Sequence, residues 1–344
     1  MPELVSKSGI EVIDIPIDVG RFKSIRRMFW ENTALIHFVR RWSPDAYLTF
    51  SHYLPSRNLG VPSVVAVSNL APFSSDAYLV EGLVGRLRLA ILRKTIISSA
   101  IRANAVIALS NKCKMDLVDV GVASSKIFVI PNGVEQDAIT REGTYCAESN
   151  DNLYILSVSH FYRYKNFEQL LRAYSIISTS IRDVLRLKIV GKFYDEKYVA
   201  ELLSLAKELG ISSRVDFIPG LDGNELRLAY RSAKIFVFTS LIENSPNILL
   251  EAMAYGLPIL SSDTAPMPEF GGNAIAYFKS GDEADLARKI ETLLGDQVAL
   301  DELGRQALKQ AKNFSWDVFT MSVTNLCAKV SDSNFVCRAE SDLI

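Results

Sequence analysis

Along the chain, short apolar runs rich in β-branched residues alternate with longer segments whose apolar positions recur every three or four residues. The first kind suits a buried strand and the second one face of a helix, so the alternation predicts βαβ units and mainly parallel sheets. In the first half the predicted strands are Val12–Ile15, Ala46–Phe50, Ser63–Val67, Ala105–Ala108 and Ile127–Ile130, with helices around 23–42 and 83–102. The turn pair Asn132-Gly133 leads into a polar stretch, 141–152, that reads as a linker. The pattern then restarts, with strands at Leu153–Val158, Leu187–Val190, Val215–Ile218, Ile235–Phe238 and Pro258–Ser261. Helices over 166–179, 195–209, 223–232 and 246–255 separate them, and three more, about 283–294, 297–312 and 316–330, close the chain. The predicted class is α/β, two doubly wound units joined near residue 145. In such open sheets ligands bind outside the carboxyl ends of the strands, which directs attention to the loops there.

Composition adds little to this picture and charge adds more. With 344 residues, 49% of them hydrophobic, the chain can fill two ordinary cores. The net charge of −1 gives no global attraction to nucleic acid or membrane. Residues 20–102, however, hold 12 basic against 4 acidic side chains, a local +8, whereas 151–344 hold 21 against 25, a local −4. Cys113, Cys146, Cys327 and Cys337 match no zinc or redox spacing and read as free thiols, which favours a cytoplasmic location. No apolar run reaches the roughly 18 residues needed to span a bilayer, and residues 1–12 lack the apolar stretch of a signal peptide.

The strongest constellation lies at 239–262, where the strand IFVF runs into TSLIENSPNILLEAMAYGLPILSS. Ser245 is a candidate helix cap and Pro246 suits a first turn. The N–H groups of Asn247, Ile248 and Leu249 then face outward at a positively polarised helix end, a ready site for a diphosphate. Glu251, one turn further in, is placed to accept from ribose hydroxyls, and Glu243, in the loop, from sugar hydroxyls. Two isolated glutamates would more often be a loop acid and a solvated helix acid; here the flanking residues change the odds.

Those flanking residues resemble the retaining nucleotide-sugar glycosyltransferases of the GT-B architecture (family 4, group 1). Their hallmark is Glu, seven residues, Glu, then Ala-Met-Ala-x-Gly-x-Pro, and this chain carries it from Glu243 through Glu251 to Pro258. The likeness extends over 108–135, 156–174 and 214–240. It implies two Rossmann-like domains facing across a cleft. An acceptor domain would occupy 1–145 and a nucleotide-sugar domain 146–315, while a C-terminal helix and tail over 316–344 pack back on the first domain. It also implies that Lys165 neutralises diphosphate charge as the leaving group forms. The family's arginine position, directly after a small residue, is held here by His160, which offers one donor in place of a bidentate fork. Arg163 is a candidate substitute. The donor set completed by the resemblance is Asn244, Ser245, Asn247, Ile248, Glu251 and the Gly220 loop near the base. Glu269 is expected to cap or pair locally. No metal and no cofactor are implied; the nucleotide sugar is a substrate.

In the first half the family usually opens on a strand and a glycine-rich loop, whereas this chain starts at what looks like the second strand, over 9–17. Where many members carry His then Asp, the chain has Ser68 and Asn69, and His52 reaches the same sheet edge as a candidate acceptor-side residue. The segments 21–41 and 85–102 mix Arg and Lys with Phe, Trp, Leu and Ile. They read either as core-facing helices with a basic solvated side or as contacts to an anionic membrane surface carrying a lipid-linked acceptor. No RNA-binding motif accompanies them, so nucleic acid is not an expected partner. The function expected is transfer of a hexose, mannose-like by general resemblance, to a saccharide or lipid-linked acceptor with retention, in bacterial surface polysaccharide assembly at the inner face of the membrane. Set against it are a degenerate homologue that binds a nucleotide or partner without turnover, and a sugar-nucleotide epimerase, which the Glu-x7-Glu run disfavours.

Overall fold

The computed structural model describes residues 23–135 and 153–332. The predicted strand Val12–Ile15, the linker and the tail beyond residue 332 lie outside the described residues. The first sheet is parallel, in the order β1 (Tyr47–Thr49), β2 (Ser63–Val67), β3 (Ala105–Ala108), β4 (Ile127–Val129). The second is also parallel and has six strands: β5 (Tyr154–Val158), β6 (Arg186–Val190), β7 (Val215–Ile218), β8 (Ile235–Phe238), β9 (Ile259–Ser262) and β10 (Ala276–Phe278). Their spatial order is β10-β9-β8-β5-β6-β7.

The helices in chain order are α1 (Lys23–Glu31), α2 (Ala34–Trp42), α3 (Ser75–Val80), α4 (Leu83–Arg102) and α5 (Asn111–Asp119) in the first half. In the second half they are α6 (Phe167–Ile176), α7 (Thr179–Val184), α8 (Glu196–Glu208), α9 (Gly223–Ser232), α10 (Asn247–Ala254), α11 (Met267–Gly271), α12 (Glu283–Leu294), α13 (Gln297–Ala311) and α14 (Trp316–Ser331). The helix expected over 23–42 is two. Asn32 sends its amide to Met28 O and accepts from Ser56, while Thr33 Oγ1 bonds Phe29 O. Such side chains compete with the helical ladder and break it there.

Burial follows the strand period of two. Val65, Val67, Val106 and Ala108 face Ile36, Val39, Ile96, Ala100, Cys113 and Leu117 of α2, α4 and α5. Val64, Ala66, Ala105 and Ile107 face the opposite way and are covered by Val323, Leu326 and Val330 of α14. Thus α14, the last of the described helices, packs on the first sheet. Gly133 makes this return possible: a Cβ there would stand 2.1 Å from the Trp316 nitrogen. In the second domain, Ile155, Leu187, Ile189 and Val237 meet α6, α8 and α12, and Leu156, Val158, Phe236 and Phe238 meet α9, α10 and α13. Both sheets are therefore sandwiched between helices, as near-continuous apolar strands require.

Candidate functional site

The order of the second sheet places its switch point between β5 and β8, which are neighbours although β6 and β9 continue from them in opposite directions. Loops leaving two such strands diverge and open a crevice beyond the strand ends. Here they are 159–166 after β5 and 239–246 after β8. Leu241 N–H donates to Tyr164 O at 2.8 Å and the Thr239 hydroxyl to Lys165 O at 2.7 Å, so the loops are stitched together.

Across this seam Lys165 Nζ donates to Glu243 Oε1 at 2.5 Å, with side chains only 11% and 14% exposed. The ammonium also stands 4.9 Å from the centre of the Tyr164 ring, a favourable seat for a cation. A fixed, largely buried cation at the switch point is suited to an anionic ligand. Its counter-charge within the protein is Glu243.

His160 is exposed, with its ring edge-on to Tyr194 at 5.0 Å. Partial desolvation, with Lys165 and Lys192 nearby, lowers its pKa, so the imidazole is neutral at pH 7. Gly191, at the end of β6, allows this loop its path, because a Cβ there would lie 1.8 Å from Ser159 O. Arg163 turns another way. Its guanidinium forks onto Glu201 of α8 at 2.7 and 2.9 Å and lies over the Tyr198 ring, so it is tied to the outer helix layer.

The helix after β8, α10, starts at Asn247 with Pro246 in the cap position and no side-chain cap. Ser245 therefore does not cap as its position suggested: its hydroxyl accepts from Asn132 N–H at 3.2 Å, and Asn247 N–H is taken by Ser245 O at 2.9 Å. Leu250 N–H already reaches Pro246 O, which leaves the N–H groups of Ile248 and Leu249 without an intrahelical acceptor. Asn247 Oδ1 accepts from Asn132 Nδ2 at 3.1 Å. One turn on, Glu251 Oε2 accepts from the buried Tyr230 hydroxyl at 3.2 Å. Burial raises the Glu251 pKa; the Tyr230 bond opposes that and the nearby Glu135 charge adds to it. Glu251 lines a cavity of about 310 Å³ together with Asn247, Arg227, Tyr255, Glu135 and Trp316. Gly220 follows β7 on the exposed rim at φ +113°, a left-handed conformation that favours glycine.

On the facing domain, Ser68 Oγ and His52 Nδ1 lie 3.1 Å apart just beyond β2. Burial and the positive Arg27 lower the His52 pKa. The structure thus pairs Lys165 with Glu243, and Ser68 with His52, but leaves Arg163 apart. Three further features were not legible in the sequence. Asn244 turns its side chain into the first domain, the Tyr230 hydroxyl holds Glu251, and Glu269 does not pair locally. Its carboxylate crosses to α5, accepting from Asn111 N–H at 2.7 Å and Asn111 Nδ2 at 3.0 Å. The partners of Asn244 and Glu269 are more than 130 residues away, so no local pattern announces them. Among the described residues, no group of three His, Cys, Asp or Glu side chains is arranged to hold a metal.

A parallel six-stranded sheet in this order, with a lysine, a glutamate and an uncapped helix end converging at its switch point and a second sheet facing them, defines a two-domain GT-B fold. Residues 147–313 match the family described as glycosyl transferases group 1, and residues 4–138 match Glycosyltransferase Family 4. The chain belongs to the group 1 glycosyltransferase family. Among curated proteins it is 30% identical over 226 residues to the serotype-specific mannosyltransferase WbdA of Escherichia coli, covering 62% of this chain and 27% of WbdA. An uncharacterized glycosyltransferase of Haemophilus influenzae is 38% identical over 116 residues, 34% of this chain and 31% of that protein. The matches thus span about a quarter to a third of these relatives' length. Among solved structures, Anabaena Alr3699/HepE in complex with UDP-glucose superposes with a TM-score of 0.74 at 17% identity, covering 95% of this chain and 88% of that one.

Proposed function

We propose that the protein transfers a hexosyl group from a nucleotide-sugar donor to a saccharide or lipid-linked acceptor, with retention at the transferred carbon. The observation that carries this reading is the Lys165–Glu243 pair at the switch point. A donor diphosphate would draw Lys165 away from Glu243, and the ammonium then stabilises charge on the leaving group. Glu243, released, orients sugar hydroxyls. The free N–H groups of Ile248 and Leu249 face the diphosphate, and Glu251 accepts from the ribose. In the transfer, the bond from the sugar C1 to the diphosphate oxygen breaks and a bond from C1 to the acceptor oxygen forms. The acceptor proton passes to the departing diphosphate. Neutral His160 contributes one hydrogen bond, and Ser68 with His52 meets the acceptor.

WbdA, by its name, is a mannosyltransferase that is serotype-specific, which supports a mannose-like donor and a surface-polysaccharide setting. No helix of the described residues is long and apolar enough to cross a membrane. A peripheral contact is supported by the basic segments 21–41 and 85–102, in which Phe29, Leu87 and Ile91 are exposed. The test is a panel of nucleotide sugars, with binding and hydrolysis compared between wild type, Glu243→Ala and Lys165→Ala. One donor bound and hydrolysed, with both signals lost in the variants, is the expected outcome. A chain that binds none of the panel would sink the reading, and binding without turnover on any acceptor would favour a degenerate homologue.

A further inference from the structure

The two domain cores are separate: no hydrophobic cluster of the described residues joins the two sheets. What crosses the crevice next to Glu243 is polar. Asn244 is 6% exposed, and among the described residues its side-chain partners are all in the first domain. Its Nδ2 donates to Val67 O at 2.8 Å, at the end of β2, and its Oδ1 accepts from Ser110 Oγ at 3.0 Å, just beyond β3. Ser110 is itself held, because its Oγ accepts from Cys113 N–H at 3.1 Å as the cap of α5. β2 and β3 are hydrogen-bonded neighbours with fully buried apolar residues, so both anchors are rigid. The next residues in the loop, Ser245 and Asn247, are held from the first domain too, by Asn132.

Lys165, by contrast, takes its hydrogen bonds from its own domain, while α3 of the first domain only packs against its turn. The carboxylate of Glu243 is thus located by two supports, Lys165 on one side and, one residue along the chain, the facing domain. Water can replace every bond Asn244 makes when the domains part, so the contact is reversible at small cost, as polar interfaces between domains generally allow. We propose that Asn244 is a positioning residue that sets Glu243 at the reaction centre only while the domains are closed. Its contact through Val67 also brings the Glu243 loop against the segment bearing Ser68, so the donor and acceptor sides meet in the same movement. For its kinetic consequence the inference rests on the transferase reading.

Asn244→Asp keeps the size of the side chain and sets a carboxylate oxygen against the Val67 carbonyl; Asn244→Ala removes both bonds. The donor contacts proposed for Lys165, Ile248, Leu249 and Glu251 do not run through Asn244, and Glu243 is displaced in these variants, not removed as it is in Glu243→Ala. Donor KM and Kd should therefore stay within roughly threefold while kcat falls by roughly 10- to 100-fold. Small-angle scattering should show a larger radius of gyration for Asn244→Asp, with a thermal midpoint close to wild type. Loss of folding would instead lower the midpoint and the bound donor together, in which case Asn244→Ser is the variant measured. An unchanged kcat in a chain that turns over donor overturns the positioning role, whatever the scattering. If the wild type turns over no donor, the transferase reading falls, and scattering alone decides the latch: an expanded Asn244→Asp supports it and an unchanged one overturns it.

Discussion

At the residue scale, the titration of Glu251 gives the proposed donor site a pH signature. Its carboxyl is pushed above the ordinary carboxylate range by burial, with Glu135 adding like charge and Tyr230 holding it down. The charged form is the stronger acceptor for ribose hydroxyls, so donor affinity is highest above this raised pKa and falls as acidification protonates the group. Because the shift is upward, the loss begins at a higher pH than an exposed glutamate would give. Tyr230→Phe removes the one bond that favours the charged form, so the midpoint of donor Kd against pH should move further up. Calorimetric titration at a series of pH values checks this, and an identical midpoint in both proteins would remove Glu251 from the site. Glu251→Gln should abolish the pH step and weaken binding by about 1.5–3 kcal/mol, the range for a hydrogen bond to a charged group. The spacing of Glu243 and Glu251 was legible in the sequence because both lie within one strand-loop-helix unit. The direction of Arg163 was not, since Glu201, a side chain 38 residues away on another helix, decides it.

At the element scale, apolar runs are legible because a strand buried on both faces has little choice of residues: Ser63–Val67, Ala105–Ala108 and Ile235–Phe238 stand as expected. The elements the pattern failed to mark are short. β10 has three residues and α11 five, too few for either period to show. Gly191 belongs to this scale, since it lets the ends of β5 and β6 approach beside the switch point. Gly191→Ala would drive a Cβ to 1.8 Å from Ser159 O, a backbone atom that cannot swing aside. The strand ends must separate, at about 1–3 kcal/mol for an overpacked site. The expected result is a thermal midpoint lowered by several degrees together with weaker donor binding, because the 159–165 loop moves with β5. Calorimetric melting and a donor titration read the two effects. A fall in stability with full donor affinity would show that the loop is set independently of β6.

At the scale of the whole molecule, the uneven charge acquires a place. α4 carries five basic residues and no acidic one, and its Leu83, Val84, Leu87 and Ile91 are 60–85% exposed. Leu79, on the preceding α3, is 72% exposed. This helix, α3, packs against the Arg163–Lys165 turn, so the apolar and basic surface begins at the mouth of the crevice. A surface of that composition gains from insertion of its apolar side chains among headgroups and from attraction of its arginines to anionic lipid, about 1 kcal/mol for each basic residue near the membrane. A lipid-linked acceptor in that membrane would lie beside the proposed reaction centre, which connects the charge asymmetry to the chemistry. Wild-type protein is therefore expected to float with vesicles containing anionic phospholipid, less with neutral ones, and less again as salt screens the attraction. Leu83→Glu combined with Leu87→Glu should abolish flotation without lowering the thermal midpoint, because both side chains already stand in water. Donor hydrolysis in solution should also persist, since neither residue reaches the crevice. If the double variant still floats with anionic vesicles, α4 is not the docking surface, and Phe29 and Trp42 of the first two helices become the residues to change.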